Sequence, residues 1–446
     1  MKILVYPHDM RIGGSQLNAI ELAAAMRELG HTVAVVSEPG PLVDRVCAEG
    51  IEHFTLDPGR RRPAPATVRL LRRLVAERGF DIVHGYEWPP GLEAFHAVRN
   101  RRDAAAVCTV MSMAVAPFLP PTLPLVVGTR QIQREVLERR GRRPGHVHLI
   151  EPPVDVRANA PGHPSGEFRE RFDLEPGPID VVAVSRLAAE LKLEGLLTAI
   201  EVTGRLAADT RLRLVIVGDG PCRSQVEDAA AEANARAGRR VVVLTGQLDD
   251  PRPAYAAASI ALGMGGSALR AMAFASPLIV QGERGFFEPL TPETSGMFLE
   301  QGWYGIGGAG AERLEAILRT LSGSAERRRE LGEYGRGLVV ERFSLESAAL
   351  VQERIYEQAL EAARNGAGLA VRRDAASTIG RVLAYKVERR ARKLRGPVAL
   401  DDFNAVAKDS TATKDSTATK DSTAAKDSTA TKNSAVTKNS AGTSHQ

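Results

Sequence analysis

Apolar runs of about four to six residues recur through the first 280 positions, and between them apolar residues return every three or four places. Residues 2–6 and 32–37 read as strands, with an amphipathic helix predicted over 16–29 and stopped by Gly30. Runs at 81–84, 105–110, 125–128 and 147–150 extend the series. They carry little polar alternation, which is the pattern of strands covered by helices on both faces of a parallel sheet. A Pro- and Gly-rich stretch, residues 152–166, interrupts them, and a second series follows at 179–184, 212–217, 241–244, 259–262 and 277–280. The prediction is an α/β protein of two doubly wound, Rossmann-like domains facing across a cleft, over residues 1–165 and 166–345.

Beyond residue 345 the periodicity is helical. A closing helix is predicted within 346–371 and a basic amphipathic helix over 372–396. There Ile379, Val382, Leu383, Val387, Ala391 and Leu394 fall near helical spacing among arginines and lysines. From Lys408 the chain becomes a hexad array of the type Lys-Asp-Ser-Thr-Ala-Thr, with no large apolar residue to offset ordering entropy. Residues 397–446 are therefore expected to form a disordered tail.

Composition narrows the class. The chain has 446 residues and is 43% hydrophobic, enough for two large cores and too much for a disordered protein. No apolar run approaches the roughly 18 residues that span a bilayer. The strand at 2–6 follows Met1 without the pattern of a secretory leader, so a cytoplasmic protein is expected, with peripheral contact at the inner membrane face open to the basic helix. Cys47, Cys108 and Cys222 are too far apart for a metal or disulfide framework. Charge is uneven: residues 372–395 hold nine Lys or Arg against Asp374 and Glu388. The first 371 residues then sum to about −2, so the body gives no reason to expect a nucleic-acid partner.

Three constellations carry candidate chemistry. Arg11-Ile12-Gly13-Gly14-Ser15-Gln16 follows the first strand and opens the first helix, where glycines admit a ligand and free amides favour an anion. The spacing is not that of a dinucleotide fingerprint, and a plain tight turn is the competing reading. Arg186 follows the strand 179–184, with Lys192 six residues later, placing two cations at the carboxyl edge of a parallel sheet. Such a pair suits a diphosphate leaving group; two solvated loop charges are the alternative. Residues 263–273 form a glycine-rich turn into a helix, making an anion nest at Gly265, Gly266 and Ser267, with Arg270 one turn further on.

In this order the chain resembles a GT-B glycosyltransferase of glycosyltransferase family 4, over roughly residues 1–363. The resemblance rests on Gly13-Gly14, Asp81-Ile82-Val83-His84, Pro152-Pro153-Val154-Asp155, Ser185-Arg186-Leu187 with Lys192, and Leu214-Val215-Ile216-Val217-Gly218-Asp219-Gly220-Pro221. It continues through Gly246, Tyr255-Ala256-Ala257-Ala258, Ala271-Met272-Ala273 with Pro277, and Arg342-Phe343-Ser344.

The resemblance implies a hexosyltransferase-like enzyme that moves a sugar from a nucleoside diphosphate sugar to a hydroxyl of a small-molecule, glycan or lipid-linked acceptor, with retention. Neither a cofactor nor a metal site is implied. Arg186 and Lys192 would act on the donor diphosphate, Gly13 and Gly14 would close on the donor from the other domain, and Gly265, Gly266 and Ser267 would hold diphosphate or sugar. Gly246 and Gln247 fall where the family contacts the base. His8, Asp9, His84 and Glu87, near the ends of first-domain strands, are acceptor-side candidates. Two departures stand out. The family's paired glutamates, the first on the transferred sugar and the second on the ribose, are replaced by Leu262 and Arg270, and the usual histidine near residue 110 is absent from Val110-Met111-Ser112-Met113. Arg270 is expected to meet the donor through phosphate instead. The same departures motivate a second expectation, a catalytically silent GT-B-like protein that binds nucleotide or sugar or serves as a partner subunit.

Overall fold

The computed structural model describes residues 1–60, 62–140, 142–366 and 368–395; the tail expected over 397–446 lies outside them. The first sheet comprises β1 (Lys2–Tyr6), β2 (Thr32–Ser37), β3 (Glu52–Thr55), β4 (Ile82–Tyr86), β5 (Ala105–Val110), β6 (Leu125–Val127) and β7 (Val147–Leu149). All are parallel, in the order β3-β2-β1-β4-β5-β6-β7. The second comprises β8 (Ile179–Val184), β9 (Leu212–Val217), β10 (Val242–Gly246), β11 (Ile260–Gly263), β12 (Leu278–Gln281) and β13 (Phe287–Pro289). Its order is β10-β9-β8-β11-β12-β13, with only β13 antiparallel. Every residue of β4, β5 and β9 is buried, as their apolar runs predict.

The two strands missing from the sequence prediction are edge strands. Glu52-His53-Phe54-Thr55 is only half buried, so β3 shows no apolar run. Pro289 in β13 lacks the N–H a central strand needs and is tolerated at an edge. Strand order reverses between β1 and β4 and again between β8 and β11. Open α/β sheets offer ligand crevices at the carboxyl ends of strands flanking such reversals.

The helix Leu345–Arg364 ties the two sheets together. Ser344 Oγ caps it by accepting the Ser347 N–H at 3.3 Å, while Ser344 also bridges to Val154. Ile355, Tyr356, Ala359 and Leu360 then enter the core cluster that contains Ile3, Val5 and Val35 of the first sheet. Burial of a large apolar side chain contributes about 1.5–3 kcal/mol, so this return crossing is a substantial clamp.

Contacts divide the described residues into two compact units, one within 1–111 and 119–378, the other 112–118 with 379–395. The last helix, Gly368–Arg395, runs through both. In the larger unit it buries Ala375 and Thr378, and Asp374 accepts the Thr122 N–H at 3.0 Å. In the smaller unit the Phe118 and Tyr385 rings lie 5.0 Å apart. The expected single apolar stripe divides: Val382 is buried, whereas Ile379, Leu383 and Val387 are 56%, 59% and 65% exposed. Among the described residues no helix is long and apolar enough to cross a membrane.

Candidate functional site

On the second-domain side the chain leaves β8 through Ser185-Arg186-Leu187, and the turn after β9 packs directly on that backbone. A Cβ on Gly218, which has φ +145°, would lie 1.9 Å from Ser185 O, and one on Gly220 would lie 2.3 Å from Leu187 O. Only glycine admits this approach. Leu187 N–H donates to Asp219 O at 3.0 Å, so the Gly-Asp-Gly turn holds Arg186 at the carboxyl edge. Arg186 is exposed there. Lys192 starts the helix Leu193–Leu206. Burial, with no carboxylate paired to it among the described residues, pulls its ammonium down to about 8.

The nest lies on the adjacent strand, since Ile260 of β11 pairs with Val181 of β8. Gly265, at φ 55° and ψ −134°, turns the chain into the helix Gly266–Ala273 and donates its N–H to Trp303 O at 2.7 Å. Ser267 Oγ donates to Met264 O at 3.0 Å, which braces the turn while the amides of Gly266 and Ser267 open the helix. Gly246 (φ +74°) and the exposed Gln247 end β10, two strands away from β8.

On the first-domain side Gly13 and Gly14 open the helix Gly14–Glu28 behind β1. A Cβ on Gly13 would meet Gln16 Oε1 at 2.6 Å, whereas Gly14 faces open space. Gln16 Nε2 donates to Asp9 Oδ1 at 2.6 Å and lies 3.1 Å from His8 Nε2. Arg11 donates to Asp9 from its backbone and its side chain, each at 3.0 Å. Burial raises the Asp9 carboxyl, but His8, Arg11 and Gln16 outweigh it and hold Asp9 below its usual range.

Glu87, directly after β4, is buried and adopts φ 68°, ψ 169°, a region nearly reserved for glycine. That conformation costs about 1–3 kcal/mol and persists only when its surroundings enforce it. Here the Glu87 N–H donates to Thr109 O at 2.7 Å, while Oε1 accepts the Met111 N–H at 2.9 Å and the Ser15 hydroxyl at 3.4 Å. The carboxylate therefore links the carboxyl ends of β4 and β5 to the start of the first helix, beside the positions that lack the family's histidine.

Two candidates are placed differently from expectation. His84 lies within β4, fully buried, with Nδ1 2.7 Å from Tyr356 Oη and Nε2 2.7 Å from Thr109 Oγ1. Burial pushes its imidazole down to about 3, so it is a neutral packing group that joins the closing helix to the sheet. Arg270 donates through Nη2 to both carboxylate oxygens of Glu21 at 2.9 Å, and Arg45 lies 3.2 Å from the same carboxylate. Its guanidinium is engaged across the domain boundary rather than held open for phosphate, because a largely buried cation facing a carboxylate pairs with it. Leu262, in the register of the family's first glutamate, is 3% exposed and belongs to the second-domain core.

One polar pair at this edge had no prior expectation. Glu283, just after β12, accepts the Tyr304 hydroxyl at 2.8 Å and the Leu191 N–H at 3.3 Å. The signal present in the sequence was the pair of glycine-flanked segments Gly282-Glu283-Arg284-Gly285 and Gly302-Trp303-Tyr304-Gly305.

The profile of Glycosyltransferase Family 4 matches residues 12–158, and that of Glycosyl transferases group 1 matches residues 178–316. Comparison with curated proteins found no match. Among solved structures, a glycosyltransferase from Rickettsia africae is similar at 17% identity, with 81% of this chain and 98% of that chain covered and a TM-score of 0.66. Anabaena HepE in complex with UDP-glucose is similar at 15% identity over 80% and 98% of the two chains, with a TM-score of 0.61. TarM of S. aureus in complex with UDP and alpha-GlcNAc-glycerol is similar at 11% identity over 80% and 99%, with a TM-score of 0.56. At such identities the likeness carries the two-sheet GT-B fold. Two profiles in tandem, one on each sheet, with the glycine-held arginine loop inside the second, lead to one assignment: the chain belongs to glycosyltransferase family 4.

Proposed function

We propose that the protein transfers a sugar from a nucleoside diphosphate sugar to a hydroxyl acceptor, with retention and without a metal. The observation that carries this reading is Lys192, a cation with a depressed pKa and no carboxylate partner among the described residues, on the same sheet edge as Arg186 and the nest at Gly265, Gly266 and Ser267. An uncompensated cation beside free helix-start amides is a site for a diphosphate. In transfer, negative charge grows on the leaving phosphate oxygen, and Arg186 and Lys192 stabilise it more than the ground state. The leaving oxygen then takes the acceptor hydroxyl's proton on the same face. Gly13 and Gly14 approach from the first domain, Gly246 and Gln247 border the base, and His8, Asp9 and Glu87 orient the acceptor. The strain stored at Glu87 supports a functional role for its carboxylate.

Nucleotide release with a panel of nucleoside diphosphate sugars, each with and without cell-extract acceptors, tests the reading. Release from at least one donor is expected. Binding of donors with no release from any would favour a silent binding protein, a reading motivated by the core position of Leu262 and the commitment of Arg270 to Glu21.

The depressed pKa of Lys192 gives a signed pH dependence. The protonated amine attracts the diphosphate, so affinity is full below pH 8 and falls as pH rises through about 8. Calorimetric titration with UDP at pH 7 and pH 9 is expected to show a loss of up to about tenfold, abolished in Lys192→Arg because the guanidinium stays charged. A flat profile in the wild type would remove Lys192 from the phosphate site.

The exposed face of Ile379, Leu383 and Val387, set among the basic residues of the last helix, supports peripheral contact with an anionic membrane. Each cation near such a surface contributes about 1 kcal/mol. Sedimentation with phosphatidylglycerol vesicles is expected to carry the full chain down at low salt, and the triple change of these residues to Ser is expected to release it. Equal sedimentation of both proteins would return this helix to a purely structural role.

A further inference from the structure

Leu262 leaves the donor sugar without the carboxylate that the family presents from that register, and the fold supplies another one close by. After β12 the chain runs Gly282-Glu283-Arg284-Gly285 against the segment Gly302–Gly310. Glycines permit the approach: a Cβ on Gly282 would lie 1.9 Å from Gly305 O, and one on Gly305 would lie 2.3 Å from the Phe286 ring. The two segments are bonded like strands, with Glu283 N–H donating to Gly305 O at 3.0 Å and Gly307 N–H donating to Glu283 O at 2.9 Å. Glu194 fixes the loop further by accepting the N–H groups of Arg284 and Gly285 at 3.0 and 2.7 Å.

This frame sets the Glu283 carboxylate between the two halves of the phosphate site. On one side Oε1 accepts the N–H of Leu191, the residue before Lys192. On the other, Oε2 accepts the Tyr304 hydroxyl, and Trp303, the neighbour of Tyr304, accepts the N–H of Gly265 in the nest. Burial and the adjacent carboxylate raise the Tyr304 phenol, so it remains a hydrogen-bond donor to Glu283. A carboxylate has about four acceptor positions, and a sugar ring presents hydroxyl donors to match them.

We propose that Glu283, oriented by Tyr304, accepts hydrogen bonds from the hydroxyls of the donor sugar and thereby selects neutral sugars over uronic acids. This inference rests on the nucleoside diphosphate sugar reading of the site. A uronic acid would set a second carboxylate against Glu283, and like charges at close range are disfavoured in a partly desolvated crevice.

The full chain is titrated with UDP, UDP-glucose and UDP-glucuronate, and in parallel with GDP, GDP-mannose and GDP-mannuronate. Failure of the wild type to bind either diphosphate sinks the donor reading itself. Where a diphosphate binds, the neutral sugar nucleotide is expected to bind about tenfold or more tighter than the uronate, because a site built for hydroxyl donors penalises a ligand it cannot pair. Glu283→Gln is expected to erase that preference and weaken the neutral sugar nucleotide relative to the bare diphosphate, whose binding is kept or strengthened by loss of the negative charge; the retained diphosphate binding also certifies the fold. Tyr304→Phe, which only frees the carboxylate to swing, is expected to produce the same split in smaller measure. An unchanged sugar preference in both variants, or equal losses for diphosphate and sugar nucleotide in both, overturns the proposal.

Discussion

Lys192→Ala is expected to lower turnover by on the order of 10²-fold or more, with Arg186→Ala in the same range, because each cation opposes charge that accumulates on the leaving diphosphate. The loss should fall on kcat more than on donor affinity, since the interaction is strongest in the transition state. The two side chains are not equivalent. Arg186 is exposed and supplies a planar fork, whereas Lys192 is a compact charge whose partial burial has already removed part of its hydration. Less solvent must therefore be displaced when Lys192 meets phosphate, and its removal is the costlier of the two. Nucleotide release measured over a range of donor concentrations separates kcat from KM. Near-normal turnover in both variants would take the diphosphate away from this edge.

Arg270→Glu is expected to destabilise the protein by about 3 kcal/mol or more, because it turns an interdomain ion pair into two facing carboxylates. Both partners are largely shielded, with side chains 16% and 10% exposed, so water screens them little. Arg45, 3.2 Å from Glu21, offsets part of the loss. Thermal unfolding of Arg270→Glu, Glu21→Arg and the double exchange forms a cycle in which the double variant recovers most of the midpoint. A double variant no better than the worse single one would show that the pair contributes nothing beyond its contact distance. The substitution also restores the residue type that the family carries at this register, yet a ribose contact should not return while Glu21 stands opposite.

The parts of this protein that could be read along the chain are those governed by local pattern. Central strands such as β4, β5 and β9 are unbroken apolar runs because helices cover both their faces, and the two-sheet architecture followed from them. Edge strands β3 and β13 were invisible because half exposure dilutes the pattern to that of a loop. Glycines at 265 and 266 were legible as well, since a tight turn at a strand end restricts residue type locally.

Partners distant in sequence were decided by packing. His84 reads like a polar group at a strand end until Tyr356, 272 positions later, closes over it on the returning helix and leaves it neutral. Arg270 reads like a phosphate ligand until Glu21, 249 positions earlier, faces it from the other domain. Glu283 and Tyr304 carry no motif; their significance comes from two glycine-rich segments stacking closely enough to hold a carboxylate against the Leu191 amide. The periodicity and turn chemistry of the chain establish which strands, helices and backbone nests exist, because those depend on neighbours a few residues apart. Which charged groups remain available to a ligand depends on what the fold brings opposite them, since a buried charge is neutralised, paired or left poised only by groups it meets in space.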